Sequence, residues 1–289
     1  MNSTKTTFLM ALLAVLFVLV GGAIAGQQGM ITAFIFATVM NLITYFFSHK
    51  IVLGLYRASP LSEKDAPQIY QILKDLTMKA GLPMPAVYLI PNDAPNAFAT
   101  GRNPEHAVVA VTRGILSLLD KEELRGVLAH ELSHVKNKDI LVGTIAATLA
   151  GAISMIAHIA RWGMMFGGGR SSNNRNSAVS PIFGIFFIIL MPIAAMLIQL
   201  AISRTREYGA DESGAELTGN PKGLSNALRK LQNYSTRIPL NANPATAHMF
   251  IVNPLSGKSL LKLFSTHPPL EDRIARLERM QGHVTGSIR

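Results

Sequence analysis

The hydrophobic positions of the chain fall into four long runs separated by polar segments. The first two runs, 8–26 and 30–48, contain no charged residue and are joined only by residues 27–29. Each run has about the 20 residues that a helix needs to cross the hydrocarbon core of a bilayer. This pattern predicts two membrane-spanning helices connected by a tight turn.

The other two runs, 140–160 and 178–203, predict a second hydrophobic hairpin with a kink at Pro192. The loop between them contains three arginines, which opposes an external location under the positive-inside rule. We nevertheless favour a hairpin that spans the membrane and keep, as an alternative, a pair of helices that dips in or packs on the domain. His158 in the third run is interpreted as a helix-packing residue rather than a metal site or proton relay.

Basic residues on either side of the first hairpin predict its orientation. Lys5 precedes the first run and Lys50 follows the second, whereas residues 27–29 between them are uncharged. The positive-inside rule then places the N-terminus and the central domain in the cytoplasm. A cleaved secretory signal is the alternative for the first run, because residues 23–25 resemble a cleavage site. The second run would still deliver the domain to the inside.

The polar remainder of the chain, about 57–139 and 204–289, is long enough for one hydrophobic core. Helices are predicted from Ser62 to Gly81, from Pro221 and over 270–280, and strands over 86–90, 96–100 and 107–112. The predicted fold is mostly α, an integral membrane protein with four hydrophobic helices and an α+β domain with a small β-sheet. The predicted organisation is an N-terminal transmembrane hairpin (1–56), the first part of a polar domain (57–139), a second hydrophobic hairpin (140–203) and the second part of that domain (204–289).

Composition agrees with a membrane protein. Hydrophobic residues make up 49% of the chain and charged residues 15%, with a mean hydropathy of +0.29, which is too apolar for an ordinary soluble domain. The net charge of +10 comes from scattered residues that often flank hydrophobic runs, so it favours anionic lipid over nucleic acid as a partner. The absence of cysteine excludes disulfides and thiolate metal sites.

Residues 130–134 read His-Glu-Leu-Ser-His, the signature of a zinc hydrolase. On an α-helix, residues four apart are separated by about 40° around the axis, so His130 and His134 project from one face and can share a metal ion. Glu131 lies beside them, where its carboxylate can act as a general base without being a ligand. The alternative is two surface histidines on an amphipathic helix.

The residues around this motif predict that it is helical. Asp120 and Glu123 have the spacing of a capping box, which predicts the start of a helix. Apolar residues then recur at three- and four-residue intervals, as a helix with one buried face requires. They are Leu124, Val127, Leu128, Leu132 and Val135.

A hydrolytic zinc site needs a third protein ligand, and Glu207 is the best candidate. His134 precedes the third hydrophobic run by six residues and Glu207 follows the fourth by four. Two helices of similar length that go out and back return Glu207 to nearly the height of His134. Asp211, one turn after Glu207, could accept a hydrogen bond from a ligand histidine. The alternatives are a solvated Glu207 paired with a nearby arginine and an Asp211 on the helix surface.

Five segments together resemble the HtpX family of bacterial heat-shock membrane proteases, which are zinc endopeptidases related to the CAAX prenyl proteases. The resemblance covers essentially the whole chain. The segments are 130–134, 207–211 (Glu-Tyr-Gly-Ala-Asp), 96–99 (Asn-Ala-Phe-Ala), 247–255 (Ala-His-Met-Phe-Ile-Val-Asn-Pro-Leu) and 265–269 (Ser-Thr-His-Pro-Pro).

The resemblance implies a zincin-like catalytic domain that faces the cytoplasm from a bacterial inner membrane, in a multi-pass protein. It also implies degradation of misfolded, damaged or misassembled membrane proteins, alongside other quality-control proteases. His267 would stabilise the oxyanion, and Arg273 would help there unless it is a surface residue. The remaining implied roles are one zinc ion per chain held by His130, His134 and Glu207, Glu131 as the base, and Asp211 as support for a ligand histidine.

A substrate could bind along the predicted strand at 96–100. An extended peptide that adds to this strand would contact Asn96, Ala97, Phe98 and Ala99, which would explain a preference for unfolded segments. The alternative is an ordinary core or edge strand.

Two rival functions are considered. Intramembrane proteolysis would place the metal motif inside a span, which the charged residues at 121–125 oppose. A zinc-stabilised membrane adaptor or holdase without enzymatic activity would keep the ligands but would have no need for Glu131.

Overall fold

The computed structural model describes residues 2–145, 204–235, 251 and 268–286 of the chain. Helix α1, Asn2–Leu55, contains both N-terminal hydrophobic runs and reverses sharply inside its length. Ala25 and Gly26 have non-helical backbone angles there, and Gly26 has φ +58° and ψ −143°, a region that glycine enters readily. The predicted turn at residues 27–29 is therefore wrong by about two residues, because the chain reverses at the glycine.

The two arms of α1 pack against each other in antiparallel fashion. The side-chain amide of Asn41 donates to the carbonyl of Met10 at 3.1 Å. The rings of Phe17 and Phe36 lie 5.5 Å apart in an edge-to-face arrangement. These contacts confirm a helical hairpin. Among the described residues, Ala25–Leu55 is the one helix long and apolar enough to cross a membrane, and 11% of its most apolar window is buried.

The prediction of four hydrophobic helices is not confirmed. Almost all of the second hairpin, together with Pro192 and His158, lies outside the described residues. Residues 140–145 are helical, and Val142 and Ile145 join a buried cluster with Phe17 and Ala37 of α1. The start of the third run therefore packs against the first hairpin.

A four-stranded mixed sheet confirms the small β-sheet of the prediction. Its strands are β1 (Ser59–Pro60), β2 (Ala86–Ile90), β3 (Ala97–Thr100) and β4 (Val108–Thr112), in the order β1-β2-β4-β3. The β2–β4 pair is parallel, and the other two pairs are antiparallel. Among the described strands, this order leaves β3 at an edge of the sheet, facing the helix that contains the metal motif.

Besides α1 and the helical residues 140–145, the described portion of the fold has six α-helices and is mostly helical. A capping box between Asp120 and Glu123 begins α4, as the sequence predicts. Leu224, Leu228 and Leu231 bury one face of α6. The bounds are α2 Pro67–Ala80, α3 Arg113–Leu118, α4 Lys121–Lys136, α5 Arg204–Thr218, α6 Pro221–Ser235 and α7 Leu270–Gly286.

The predicted start of α2 at Ser62 is wrong. Ser62 instead donates to Asp65 at 2.5 Å within a turn, and the helix begins at Pro67, whose fixed φ suits the first helical position. Gly81 ends α2 in the left-handed conformation, with φ +67°, as predicted. The misplaced start follows from the short turn between Ser62 and Pro67, which has helix-like local hydrogen bonds.

Helix α4 is held between α5 and α6 by close backbone contacts. A Cβ on Gly126 would lie 2.5 Å from the backbone nitrogen of Leu224 in α6. A Cβ on Gly214 in α5 would lie 3.0 Å from the backbone nitrogen of His130. The helix that presents the metal motif is thus packed directly against its neighbours' main chains.

We predict that Gly126→Ala lowers the free energy of unfolding by about 1–3 kcal/mol, since backbone atoms of α6 must move to make room. Thermal unfolding of the detergent-purified protein measures this effect. Gly54→Ala is the matched control, because a Cβ there would meet nothing within 4 Å. Equal melting temperatures for the Gly126 variant and the wild type would contradict the prediction.

Candidate metal centre

Three potential ligand side chains converge between α4 and α5. The Nε2 atoms of His130 and His134 lie 3.3 Å apart. Glu207 places Oε2 at 3.8 Å from Nε2 of His130 and Oε1 at 3.6 Å from Nε2 of His134. Glu207 is 7% exposed and His130 is 1% exposed, whereas His134 is partly exposed, so within the described part of the chain solvent reaches the cluster only on the His134 side.

The donor set fits a zinc ion. Zn–N and Zn–O bonds of about 2.0–2.2 Å at tetrahedral angles separate ligand atoms by roughly 3.3–3.6 Å. The three observed separations are 3.3, 3.6 and 3.8 Å. Among the described residues, only His130, His134 and Glu207 form a group of histidine and acidic side chains that could share an ion. Three protein ligands leave one position of a tetrahedron for water or substrate, as in catalytic zinc sites.

Both histidines are oriented by carboxylates on their outer nitrogens. Nδ1 of His130 lies 2.9 Å from Oδ1 of Asp211. Nδ1 of His134 lies 3.4 Å from Oδ2 of Asp139, which follows the end of α4. These contacts assign the proton to Nδ1 in each ring, so the lone pair of each Nε2 faces Glu207. A proton on His134 or a metal ion would offset the repulsion among these three donor atoms.

The charges around the cluster favour a cation. Burial lowers the pKa of His134, but the hydrogen bond with Asp139 and the charge of Glu207 outweigh burial and raise it to about 9. Burial lowers the pKa of His130, against the opposing effect of Asp211. His130 is therefore neutral at pH 7, as a metal ligand must be, and the acidic surroundings attract a proton or a metal ion to the same place.

Arg273 in α7 is the largest side chain buried against the site. It is 0% exposed and donates to both oxygens of Asp211, with distances of 2.7 and 2.8 Å. Burial alone would raise the pKa of Asp211, but the charge and hydrogen bonds of Arg273 lower it to about 2. Its Nη1 lies 3.8 Å from Oε2 of Glu207. Arg273 therefore keeps Asp211 ionised and holds it against His130.

Glu131 lies beside the cluster and does not belong to the group of three. Its Oε2 accepts a hydrogen bond from the backbone N–H of Ala99 in strand β3 at 2.8 Å. Burial raises the pKa of Glu131, and although the charge of His134 and the Ala99 N–H oppose this, the pKa is about 7. A carboxylate with a pKa near neutrality is suited to accept and return a proton.

The residues predicted to bind substrate are buried, and their side chains face inward. Ala97 and Phe98 are 0% exposed and Ala99 is 9% exposed, so a substrate could reach the strand only through its main chain. Asn96 is 3% exposed and accepts hydrogen bonds from the N–H groups of Ala97 and Ile251 through Oδ1. The Ile251 carbonyl in turn accepts from Arg273 at 3.2 Å. Asn96 and Arg273 thus hold Ile251 from two sides.

Sequence reasoning missed two residues of the site. Asp139 had no assigned role, although a short turn after α4 brings it back to His134. Arg273 was expected to lie on the surface unless it assisted His267, yet it is the most buried charge at the centre. The signal for Arg273 was its place within the apolar stripe of α7, between Leu270 and Leu277. His267 lies outside the described residues.

The sequence is similar to known proteases. A family model described as "Peptidase family M48" matches residues 63–281. A protein named "Protease HtpX homolog" from Syntrophobacter fumaroxidans is 60% identical over 277 residues, which cover 96% of this chain and 98% of that protein. The protein of the same name from Thermodesulfovibrio yellowstonii is 57% identical over 280 residues, covering 97% and 99%.

Among solved structures, the crystal structure of S. mikatae Ste24p is similar in fold. Its TM-score is 0.55 with 18% sequence identity, and the match covers 96% of this chain and 64% of that chain. At this level of identity the likeness concerns the fold alone.

Proposed function

The chain belongs to peptidase family M48, and on that basis we propose that it is a membrane-bound zinc endopeptidase that cleaves misfolded or damaged membrane proteins. The convergence of His130, His134 and Glu207 is the observation that most supports this proposal, since it forms a centre with three ligands and one position for water. Glu131 is the proposed base. A non-enzymatic adaptor would not need a buried carboxylate directly beside the ligands.

In the proposed mechanism, His130, His134 and Glu207 would hold a zinc ion, which would supply the Lewis acidity that makes water a nucleophile near neutral pH. Glu131 accepts the proton of the attacking water and returns it to the nitrogen of the leaving amine as the peptide bond breaks. Glu131 is already held at 2.8 Å from the Ala99 N–H, so its carboxylate faces strand β3.

Asp211 and Asp139 serve as positioning residues for the two ligand histidines. Each carboxylate accepts a hydrogen bond from the Nδ1–H of its histidine, which directs the Nε2 atom of the ring toward the ligand position. Arg273 holds Asp211 in place. His267 is proposed to stabilise the oxyanion, in agreement with the sequence expectation.

The edge strand β3 is the proposed docking site for substrate. Its side chains are buried, and its Ala97 and Ala99 N–H groups bond to Asn96 and Glu131, so an extended peptide that adds to the strand would replace these two contacts. Recognition through the main chain requires an unfolded or extruded segment and has little dependence on side chains. Misassembled membrane proteins present such segments at the membrane surface, which favours a role in quality control alongside other proteases.

The proposed location is the bacterial inner membrane, with the catalytic domain in the cytoplasm. The first hairpin (1–56) anchors the domain, and the second (140–203) interrupts it between its two segments, 57–139 and 204–289. Helix α4 ends at Lys136, and the helical residues that begin the third hydrophobic run start at 140. This short connection supports a site at the membrane surface and a second hairpin that spans the bilayer, giving four hydrophobic helices.

Metal removal tests the proposed function directly. We predict that chelation abolishes cleavage of an unfolded protein such as casein by the detergent-purified chain, and that zinc restores it while magnesium does not. The reason is that two imidazoles and one carboxylate suit zinc, whereas magnesium prefers oxygen ligands. The measurements are cleavage rate and bound metal on the same samples. Unchanged cleavage by a preparation that retains no bound metal would refute a metal-dependent peptidase.

A further inference from the structure

The loop between β3 and β4, residues 101–107, lies against the second arm of α1, where its uncharged run ends near residues 46–50. The guanidinium of Arg102 lies 5.4 Å from the centre of the Phe46 ring, and the ammonium of Lys50 lies 5.5 Å from the Phe47 ring. The two rings are 43% and 48% exposed. Arg102 is therefore at the height of residues 46–50, where the uncharged run ends and a headgroup layer would begin.

Internal hydrogen bonds hold this loop in one conformation. Oδ1 of Asn103 accepts from the backbone N–H of His106 at 3.1 Å and lies 2.7 Å from Nδ1 of the same ring. With the proton on Nδ1, Nε2 of His106 accepts from Nη2 of Arg102 at 2.6 Å. A Cβ on Gly101, which has φ +144°, would lie 2.4 Å from the carbonyl oxygen of His106. The guanidinium is thus held in place before any partner binds.

Several cations of the described domain are ion-paired, but Lys50 and Arg102 are not. Lys74, Arg113 and Lys230 each have a carboxylate within 2.7 Å. Among the described residues, neither Lys50 nor Arg102 has a carboxylate within ion-pair distance, and Glu105 of the same loop forms no ion pair with either of them.

Burial, together with the charges of Lys50 and Arg102, lowers the pKa of His49, so its ring is neutral and leaves Lys50 and Arg102 as the cations of this end. Charges of one sign that are held close together favour an anionic partner.

We propose that Lys50 and Arg102 bind the phosphate of an anionic phospholipid headgroup and thereby fix the end of strand β3 at the membrane surface. The planar fork of Arg102 matches two phosphate oxygens, and Lys50 contributes a point charge. Strand β3 ends at Thr100, two residues before Arg102. The partner is a lipid rather than a soluble phosphate because both cations lie on rings of a helix whose exposed side is apolar.

The proposal rests on the proposed membrane location and deepens the proposed function, since it sets where along the bilayer normal the substrate strand is presented. A strand edge held at the headgroup layer would receive segments as they leave the membrane. Lipid binding itself requires no cleavage, so the two proposals can fail separately.

Hydrogen exchange of residues 97–107 in the full chain tests the proposal. The protein is kept in detergent in the Glu131→Gln background, which prevents self-cleavage, and is titrated with short-chain phosphatidylglycerol, with short-chain phosphatidylcholine or with inorganic phosphate. We expect protection of this segment with phosphatidylglycerol only. Each basic residue near an anionic surface is worth about fivefold in affinity, so Lys50→Gln/Arg102→Gln should raise the half-saturating lipid concentration on the order of 30-fold.

Two further variants separate binding at this site from a general effect of net charge. Lys121→Gln/Lys222→Gln removes the same charge from exposed positions in α4 and α6 and should titrate like the parent. Arg102→Lys keeps the charge but lacks the planar guanidinium, so its half-saturating lipid concentration should lie between those of the parent and the Lys50→Gln/Arg102→Gln variant. Equal protection by phosphatidylcholine, protection by inorganic phosphate alone, or an unshifted titration of the Lys50→Gln/Arg102→Gln protein would each overturn the proposal.

Discussion

Replacing Glu131 by glutamine is expected to lower the rate of peptide cleavage by about 10²- to 10⁴-fold, the usual contribution of a general acid or base. Glutamine has nearly the same shape, and its side-chain oxygen can still accept the hydrogen bond from the Ala99 N–H at 2.8 Å. The fold and the three ligands should therefore be unaffected. What the variant loses is the group that accepts and returns the proton.

The measurement compares casein cleavage and bound zinc for the wild type and the variant, both purified in chelator and then reloaded. Glu122→Gln is the matched control, because it makes the same change at an exposed position in the first turn of the same helix, α4. It should cleave like the wild type. If Glu131→Gln cleaved at the wild-type rate, the assigned base would be wrong, whereas loss of zinc by this variant would indicate a ligand role instead.

Replacing Arg273 by methionine is expected to destabilise the protein by about 3–5 kcal/mol, because it leaves Asp211 as a buried carboxylate without its main partner. The same change should weaken zinc binding by about 10- to 100-fold, the usual effect of losing support for a ligand histidine. Methionine has a similar length and adds no polar group, so it limits the loss of packing.

Thermal unfolding with and without zinc, together with competition against a chelator, separates the two effects. Arg276→Met, one turn along α7, changes a cation that stacks at 3.7 Å on the Tyr208 ring and should affect zinc binding little. In a double-mutant cycle, Arg273→Met and Asp211→Asn should be less than additive, since they remove one interaction. Additive losses, or wild-type zinc affinity in Arg273→Met, would show that the pair does not support the metal centre.

The elements of the fold that were predicted correctly depend on local information. The capping box of α4 lies within four consecutive residues, and the spacing of two histidines on one helix is fixed by helix geometry alone. The position of Glu207 beside the two histidines was predicted by counting residues along a hairpin. The start of α2 was missed because Ser62 makes a local turn that imitates a helix cap, and the reversal in α1 was misplaced because a single glycine decides it.

The rest of the site depends on contacts between residues far apart in the chain. Arg273 meets Asp211 across 62 residues, and Ala99 meets Glu131 across 32. The spacing of residues within one segment cannot reveal a contact with a distant segment. Strand order was equally inaccessible, because the parallel pairing of β2 with β4, which leaves β3 at the edge, is decided by packing of the whole sheet.

The glycine contacts of α4 restrict which substitutions can change the position of this helix. Gly126 and Gly214 let main chains touch, so the spacing between the helices is set by atoms that are the same in every amino acid. Evolution can exchange the surrounding leucines and valines at some loss of stability without moving the histidines. Divergence in substrate choice among relatives should therefore accumulate in the loops around strand β3, while the position of the catalytic helix stays the same.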